Sequence, residues 1–199
     1  MTRRILSLGD SYTIGEGVAA RDRWPVQLAR LLAAGGVEVA PPEIVARTGW
    51  TTTELDAGIT AAAPHPPYDL VSLLVGVNDQ YRGVARDAFA CEFAVLLARA
   101  VSFAAAAPPR VLVLSIPDWG VTPFAAGRDR AAIGAAIDAF NAAARAEAKD
   151  VGARWVDVTD ISREARDGWL AADGLHPSGT QYARWAARAL PDARAALGY

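Results

Sequence analysis

One cysteine, one lysine, one methionine and two histidines are all that 199 residues supply of those types. A single thiol, Cys91, rules out an internal disulfide and a cysteine-based metal cluster. Its position in a helical stretch marks it as a small buried hydrophobe. Large net charge is also missing: the formal value of -2 gives no electrostatic reason to expect nucleic acid or an anionic membrane as partner. Long apolar runs are absent too, and no stretch approaches the length that crosses a bilayer. Arg3-Arg4 is followed by an apolar run that breaks at Gly9-Asp10, far too short for a signal segment, so the chain reads as cytoplasmic. With basic residues almost all arginine and alanine abundant, the remaining bias is that of genomic base composition.

What is present is an ordinary globular composition, 52% hydrophobic and 21% charged, in a length that suits one domain over residues 1–199. Short apolar runs recur at Arg4–Leu8, Glu43–Ala46, Leu70–Val75, Val111–Ser115 and Arg154–Val158. Helical stretches separate them: Trp24–Ala34 with Pro25 in its first turn, Thr52–Ala62 with capping threonines and Glu54, Ala88–Ala106, Arg128–Lys149 and Gln181–Ala196. Ser178 to Gln181 has capping-box spacing. Strict alternation predicts an α/β fold, a three-layer sandwich around a five-stranded parallel sheet in flavodoxin-like order 2-1-3-4-5.

The chemistry is carried by stretches placed just after these strands. Gly9-Asp10-Ser11-Tyr12 follows the first, Arg47-Thr48-Gly49-Trp50 the second and Gly76-Val77-Asn78-Asp79 the third. Asp173-Gly-Leu-His176-Pro177 leads into the last helix. A serine needs a base to become a nucleophile, and the base needs an orienting group. Of the two histidines, His65 sits in a proline-rich loop without polar company, which leaves His176 as the base and Asp173 as its partner. The tetrahedral oxyanion requires donors, and the backbone N–H groups of Ser11 and Gly49 with the amide of Asn78 supply three. Asp10 and Asp79 read as local structural groups in a turn and a loop. Trp24, Trp155, Trp169 and Trp185 read as packing residues, whereas Tyr12, Trp50 and Trp119 lie at the active edge as candidate substrate contacts.

These four blocks, in this order, resemble the SGNH branch of the GDSL esterases and lipases. The resemblance runs from Gly9 to the final helix, with Ser11, Gly49, Asn78 and His176 each in its block and the acid three residues before the histidine. It implies a metal-free serine hydrolase without a cofactor, with Ser11, Asp173 and His176 as triad and Ser11, Gly49 and Asn78 as oxyanion hole. Two positions depart from the pattern: Tyr12 stands for the usual leucine, and Gln181 where a glycine precedes the tyrosine. The expected substrate is a small carboxylic ester, with short acyl groups favoured because the edge loops mix Tyr81, Trp119 and Phe124 with Arg82, Asp118 and Arg128 and so promise a shallow, partly polar site. An acyltransferase, a lysophospholipase or thioesterase, and a non-catalytic flavodoxin-like binding module are the alternatives.

Overall fold

A computed structural model describes residues 1–164 and 166–199. Five parallel strands form one sheet in the order β2-β1-β3-β4-β5: β1 Ile5–Gly9, β2 Glu43–Ala46, β3 Leu70–Leu74, β4 Val111–Leu114 and β5 Arg154–Val156. The central strands β1, β3 and β4 are buried along their whole length, as expected for parallel strands covered on both faces. Helices α2 (Trp24–Ala34) and α8 (Gly179–Leu197) pack together on one face. The other carries α3 (Thr52–Ala62), α5 (Arg86–Phe103) and α6 (Arg130–Val151). The three-layer architecture and the strand order are those the alternation predicts.

Register is what concentrates the motifs. Gly9 at the end of β1 lies level with Ala46 of β2 and Leu74 of β3. The segments leaving these three strands therefore emerge side by side at the carboxyl edge of the sheet. The chain moves outward from β1 to β2 and then back past it to β3, so the crevice between β1 and β3 is the topological switch point of the sheet, where α/β folds bind ligands.

Element boundaries move where a side chain captures the backbone. The fifth strand stops at Val156 instead of Val158, because the Ser115 hydroxyl accepts the Val158 and Thr159 N–H groups at 2.8 and 3.1 Å and bends the chain away. The long helix starts at Arg130 instead of Arg128, because the Asp129 carboxylate caps it by accepting the Ala132 N–H at 2.9 Å. Ser178 caps α8 as its capping-box spacing predicts, but the box is one-sided: the Gln181 side chain turns to the Trp169 carbonyl at 3.2 Å. Three short helices escape the periodicity altogether: α1 (Ser11–Ile14), α4 (Val77–Tyr81) and α7 (Thr159–Ser162). Cys91 faces solvent on α5, correcting its expected burial. Trp24 and Trp185 are fully buried and Trp169 nearly so, whereas Trp155 is half-buried on the edge strand. Among the described residues no helix is long and apolar enough to cross a membrane.

Candidate active site

Ser11 opens α1 immediately past the end of β1. Asp10 caps that helix, its Oδ1 accepting the Tyr12 N–H at 3.0 Å. The turn demands glycine at position 9, since a Cβ there would run into the Thr13 side chain and the Leu74 carbonyl oxygen. Burial raises the Asp10 carboxyl to about 8, and its Oδ2 is enclosed without a partner among the described residues. The sign of the linkage follows. The native state holds this proton between 3.8 and about 8 while the unfolded chain has released it, so the stability it contributes is full below the first value and lost as pH rises through the second. Asp10→Asn, which keeps the cap and does not titrate, is expected to gain in melting temperature over the wild type as pH rises from about 5 to about 8 and to hold that gain above it. A difference independent of pH in thermal melts would show Asp10 to be ionised throughout.

The Asp173–His176 turn is built from its own residues. Asp173 Oδ2 meets His176 Nδ1 at 2.6 Å, while Oδ1 accepts the backbone N–H groups of Leu175 and His176 at 2.9 and 3.0 Å. Burial alone would raise the Asp173 carboxyl; these hydrogen bonds outweigh it and hold the group below its ordinary value. The segment is pinned at both sides of His176. The His176 carbonyl accepts the Ala171 N–H at 2.8 Å, and the Ser178 N–H reaches the Trp169 carbonyl at 3.0 Å. Trp169 is itself anchored through Nε1 to the Ile161 carbonyl at 2.9 Å.

The second and third blocks form one braced unit. Asn78 donates through Nδ2 to the Trp50 carbonyl at 2.9 Å, which fixes the amide and leaves its second N–H available. Asp79 is buried and accepts the Thr52 N–H and hydroxyl, the latter at 2.7 Å, so it ties the start of α3 to α4; burial raises its carboxyl. A reciprocal capping box at Thr51 and Glu54 starts α3. Arg82 completes the brace, donating to the Gly49 carbonyl at 2.6 Å and pairing with Glu54 at 3.2 Å. Gly49 has φ +85°, a left-handed conformation that favours glycine, and a Cβ there would stand 3.7 Å from the Arg82 guanidinium, an ordinary contact.

Ser11, Gly49, Asn78 and His176 all line one cleft of about 170 Å³. Its remaining wall is largely apolar: Val77, Tyr81, Trp119, Phe124 and Leu175, with Tyr12 and Thr48. The expectation of a partly polar site is corrected here. Two of the three charged residues counted toward it are engaged elsewhere, Arg82 with Gly49 and Glu54, and Asp118 with Arg163 at 2.9 Å, while the third, Arg128, lies over the rings of the wall. Trp119 is buried in the wall, its Nε1 donating to Gln80 Oε1 at 2.8 Å. Tyr12 is buried instead of standing at the mouth; its ring meets the edge of the His176 ring with centroids 5.6 Å apart. Trp50 is not brought to the cleft: its indole lies against Gly58 of α3, and only its carbonyl serves the site. His65 is exposed in its loop and does not line the cleft. Among the described residues no three His, Cys, Asp or Glu side chains converge to hold a metal ion.

What the sequence reading missed is the bracing role of Arg82 and the closure of Tyr81, Trp119 and Phe124, which it had placed in the edge loops, into one apolar wall. The signal for Arg82 was its spacing: four residues beyond Asn78, it shares a face of α4 and therefore the same loop as target.

Solved structures of the same fold are numerous. One of TesA superposes with a TM-score of 0.77 at 23% identity, covering 98% of this chain and 100% of the other. A lipase/acylhydrolase from Enterococcus faecalis gives 0.75 at 22% identity, covering 98% and 96%. The psychrotrophic esterase EstA from Pseudoalteromonas sp., in a structure inhibited by monoethylphosphonate, gives 0.71 at 18% identity, covering 99% and 100%. No curated protein sequence matches the chain. The sequence profile of the GDSL-like lipase/acylhydrolase family matches residues 7–184, a span that runs from within β1 into the first turns of α8 and holds every residue placed on the cleft wall. On that match the chain belongs to the GDSL-like lipase/acylhydrolase family and is a hydrolase of that kind.

Proposed function

We propose that the protein is a serine ester hydrolase working through an acyl-enzyme on small carboxylic esters. The observation that carries this reading is the convergence of Ser11 and the Asp173-braced His176 on one cleft with Gly49 and Asn78. Ser11 Oγ attacks the ester carbonyl, and His176 Nε2 takes the hydroxyl proton while Asp173 holds the proton on Nδ1. The carbonyl oxygen becomes an oxyanion facing the Ser11 and Gly49 N–H groups and the free Asn78 N–H. Collapse of the tetrahedral intermediate expels the alcohol, which leaves with the proton from His176. Water then attacks the acyl-enzyme by the same route and returns Ser11. Inhibition of the structurally similar EstA by a phosphonate accords with a nucleophile of this kind. A fluorophosphonate probe tests the reading: it is expected to label Ser11, and absence of labelling in folded protein would exclude the acyl-enzyme route.

Asn78→Ala is expected to lower kcat by about 10²–10³, the usual cost of one preorganised oxyanion donor. KM should move little, because the contact strengthens only as charge develops. A loss confined to KM would assign Asn78 to substrate binding instead.

The size of the cleft selects short acyl chains. Its volume of about 170 Å³ is close to the roughly 150 Å³ of an apolar cavity that accepts one benzene. Methylenes that fit each add about 0.8 kcal/mol to transition-state binding, and those beyond the wall add none. Across p-nitrophenyl esters below their micelle concentrations, kcat/KM is expected to peak between acetate and butyrate. A maximum at dodecanoate or longer would overturn the short-acyl assignment.

A further inference from the structure

The mouth of the cleft carries a cation that the ester chemistry does not use. The Arg128 guanidinium lies over three rings of the cleft wall, 5.1 Å from the Tyr81 centroid, 5.3 Å from Trp119 and 5.8 Å from Phe124. It also donates to the Tyr81 hydroxyl at 3.1 Å. The rings brace one another, with centroid separations of 5.4 Å for Tyr81–Trp119, 6.0 Å for Trp119–Phe124 and 6.2 Å for Tyr81–Phe124. Tyr81 and Phe124 remain about half exposed, and Arg128 is exposed.

Two other arginines near the site are neutralised. Arg82 has Glu54, and Arg163 has Asp118 and Asp138. Arg128 has no carboxylate within 4 Å among the described residues, and its neighbour Asp129 is turned away to cap α6. One of its five N–H donors is taken by Tyr81, leaving a planar, permanently charged fork open to solvent beside an apolar cleft. The three rings beneath it restrict that fork, so less side-chain freedom is lost when an anion engages it.

We propose that the ester taken by this cleft carries a second, anionic group, a carboxylate or a phosphate, and that Arg128 binds it. This rests on the serine-esterase reading. It makes Arg128 a specificity-determining residue, with the apolar part of the substrate between the reacting carbonyl and the anion lying against Tyr81, Trp119 and Phe124. The anion can belong to the acyl half or to the alcohol half.

Paired substrates separate these. In the acyl arm, 4-nitrophenyl hydrogen glutarate is compared with 4-nitrophenyl pentanoate. In the alcohol arm, 4-acetoxybenzoate is compared with its methyl ester. The readout is the ratio of kcat/KM for the anionic ester to that for its neutral partner, in the wild type, Arg128→Gln and Arg128→Lys. In one arm Arg128→Gln is expected to lower this ratio roughly five- to thirtyfold, mainly through KM, as for loss of a partly exposed charged hydrogen bond. Lysine should restore part of it, and high salt should depress the wild-type ratio but not that of the glutamine variant. The responding arm shows which half of the ester lies under the cation. An unchanged ratio in both arms, with neutral esters still hydrolysed by the wild type, would overturn the role of Arg128 and leave the esterase standing, the cation then serving only to clamp the rings. Failure of the wild type to hydrolyse any of the four esters would instead overturn the esterase reading, and this inference with it.

Discussion

Ser11→Ala and His176→Ala are each expected to remove nearly all ester hydrolysis, by up to about 10⁶-fold in kcat, the scale set by serine triads in other enzymes. The two groups act as one device: without the hydroxyl the imidazole has nothing to deprotonate, and without the imidazole the hydroxyl stays protonated. The double variant should therefore be no worse than either single one. Folding should survive both changes. The Ser11 side chain makes no hydrogen bond to the described residues, and the Asp173 carboxylate left by the histidine change is 39% exposed and keeps its two backbone donors. Thermal melts beside the rate measurements check this. His65→Ala should retain full activity, because His65 stands exposed in a loop away from the cleft. If His65→Ala were as damaging as His176→Ala, or Ser11→Ala kept even a hundredth of wild-type activity, the assignment of nucleophile and base would be wrong.

The parts legible in the sequence are those set by local pattern. Buried parallel strands read as short unbroken apolar runs, and their alternation with helices leaves few topologies, so the order β2-β1-β3-β4-β5 was accessible without coordinates. The ends of α2 and α3 were equally plain, because Pro25 and the Thr51–Glu54 pair act within one turn of the chain. Less visible was anything decided between elements. The four-residue helix holding Ser11 is too short to have a period and forms because Asp10 caps it against a buried background. Trp50 and Trp119 look alike in sequence, both aromatic residues in edge loops. Gly58 gives the Trp50 ring a seat on α3, and Gln80 draws Trp119 into the cleft wall. Cys91 lies in a helix apolar on more than one side, so periodicity could not tell its outward face from the inward one. The polar character expected of the cleft failed for a related reason: composition counts Arg82 and Asp118 as charges, whereas in the fold each is spent on a partner.

Asp173→Asn is expected to cost about 10⁴-fold in kcat, the loss seen when the acid of a serine-protease triad is replaced by its amide. The geometry here dictates how the amide must sit. The oxygen Oδ1 of Asp173 accepts two backbone N–H groups, from Leu175 and His176, and an NH₂ group in its place would set donors against donors. The asparagine carbonyl therefore takes the Oδ1 position, and its NH₂ takes the position of Oδ2, which faces His176 Nδ1. That forces Nδ1 to accept, moves the ring proton to Nε2 and leaves no base toward Ser11. The fold is undisturbed, since both backbone donors keep their acceptor. Asp173→Ala differs: it removes the carboxylate but imposes no tautomer, so a fraction of imidazole with Nε2 unprotonated persists. The alanine variant should consequently be the more active of the two, although its turn loses both hydrogen bonds at Leu175 and His176 and should melt at a lower temperature. The wild type should show a single-proton rise in kcat/KM with pH, because the hydrogen bonds that hold the Asp173 carboxyl below its ordinary value keep it ionised across that range. Measured side by side, an asparagine variant more active than the alanine variant would mean that Asp173 works through charge alone and that its fixed orientation does not set the tautomer of His176.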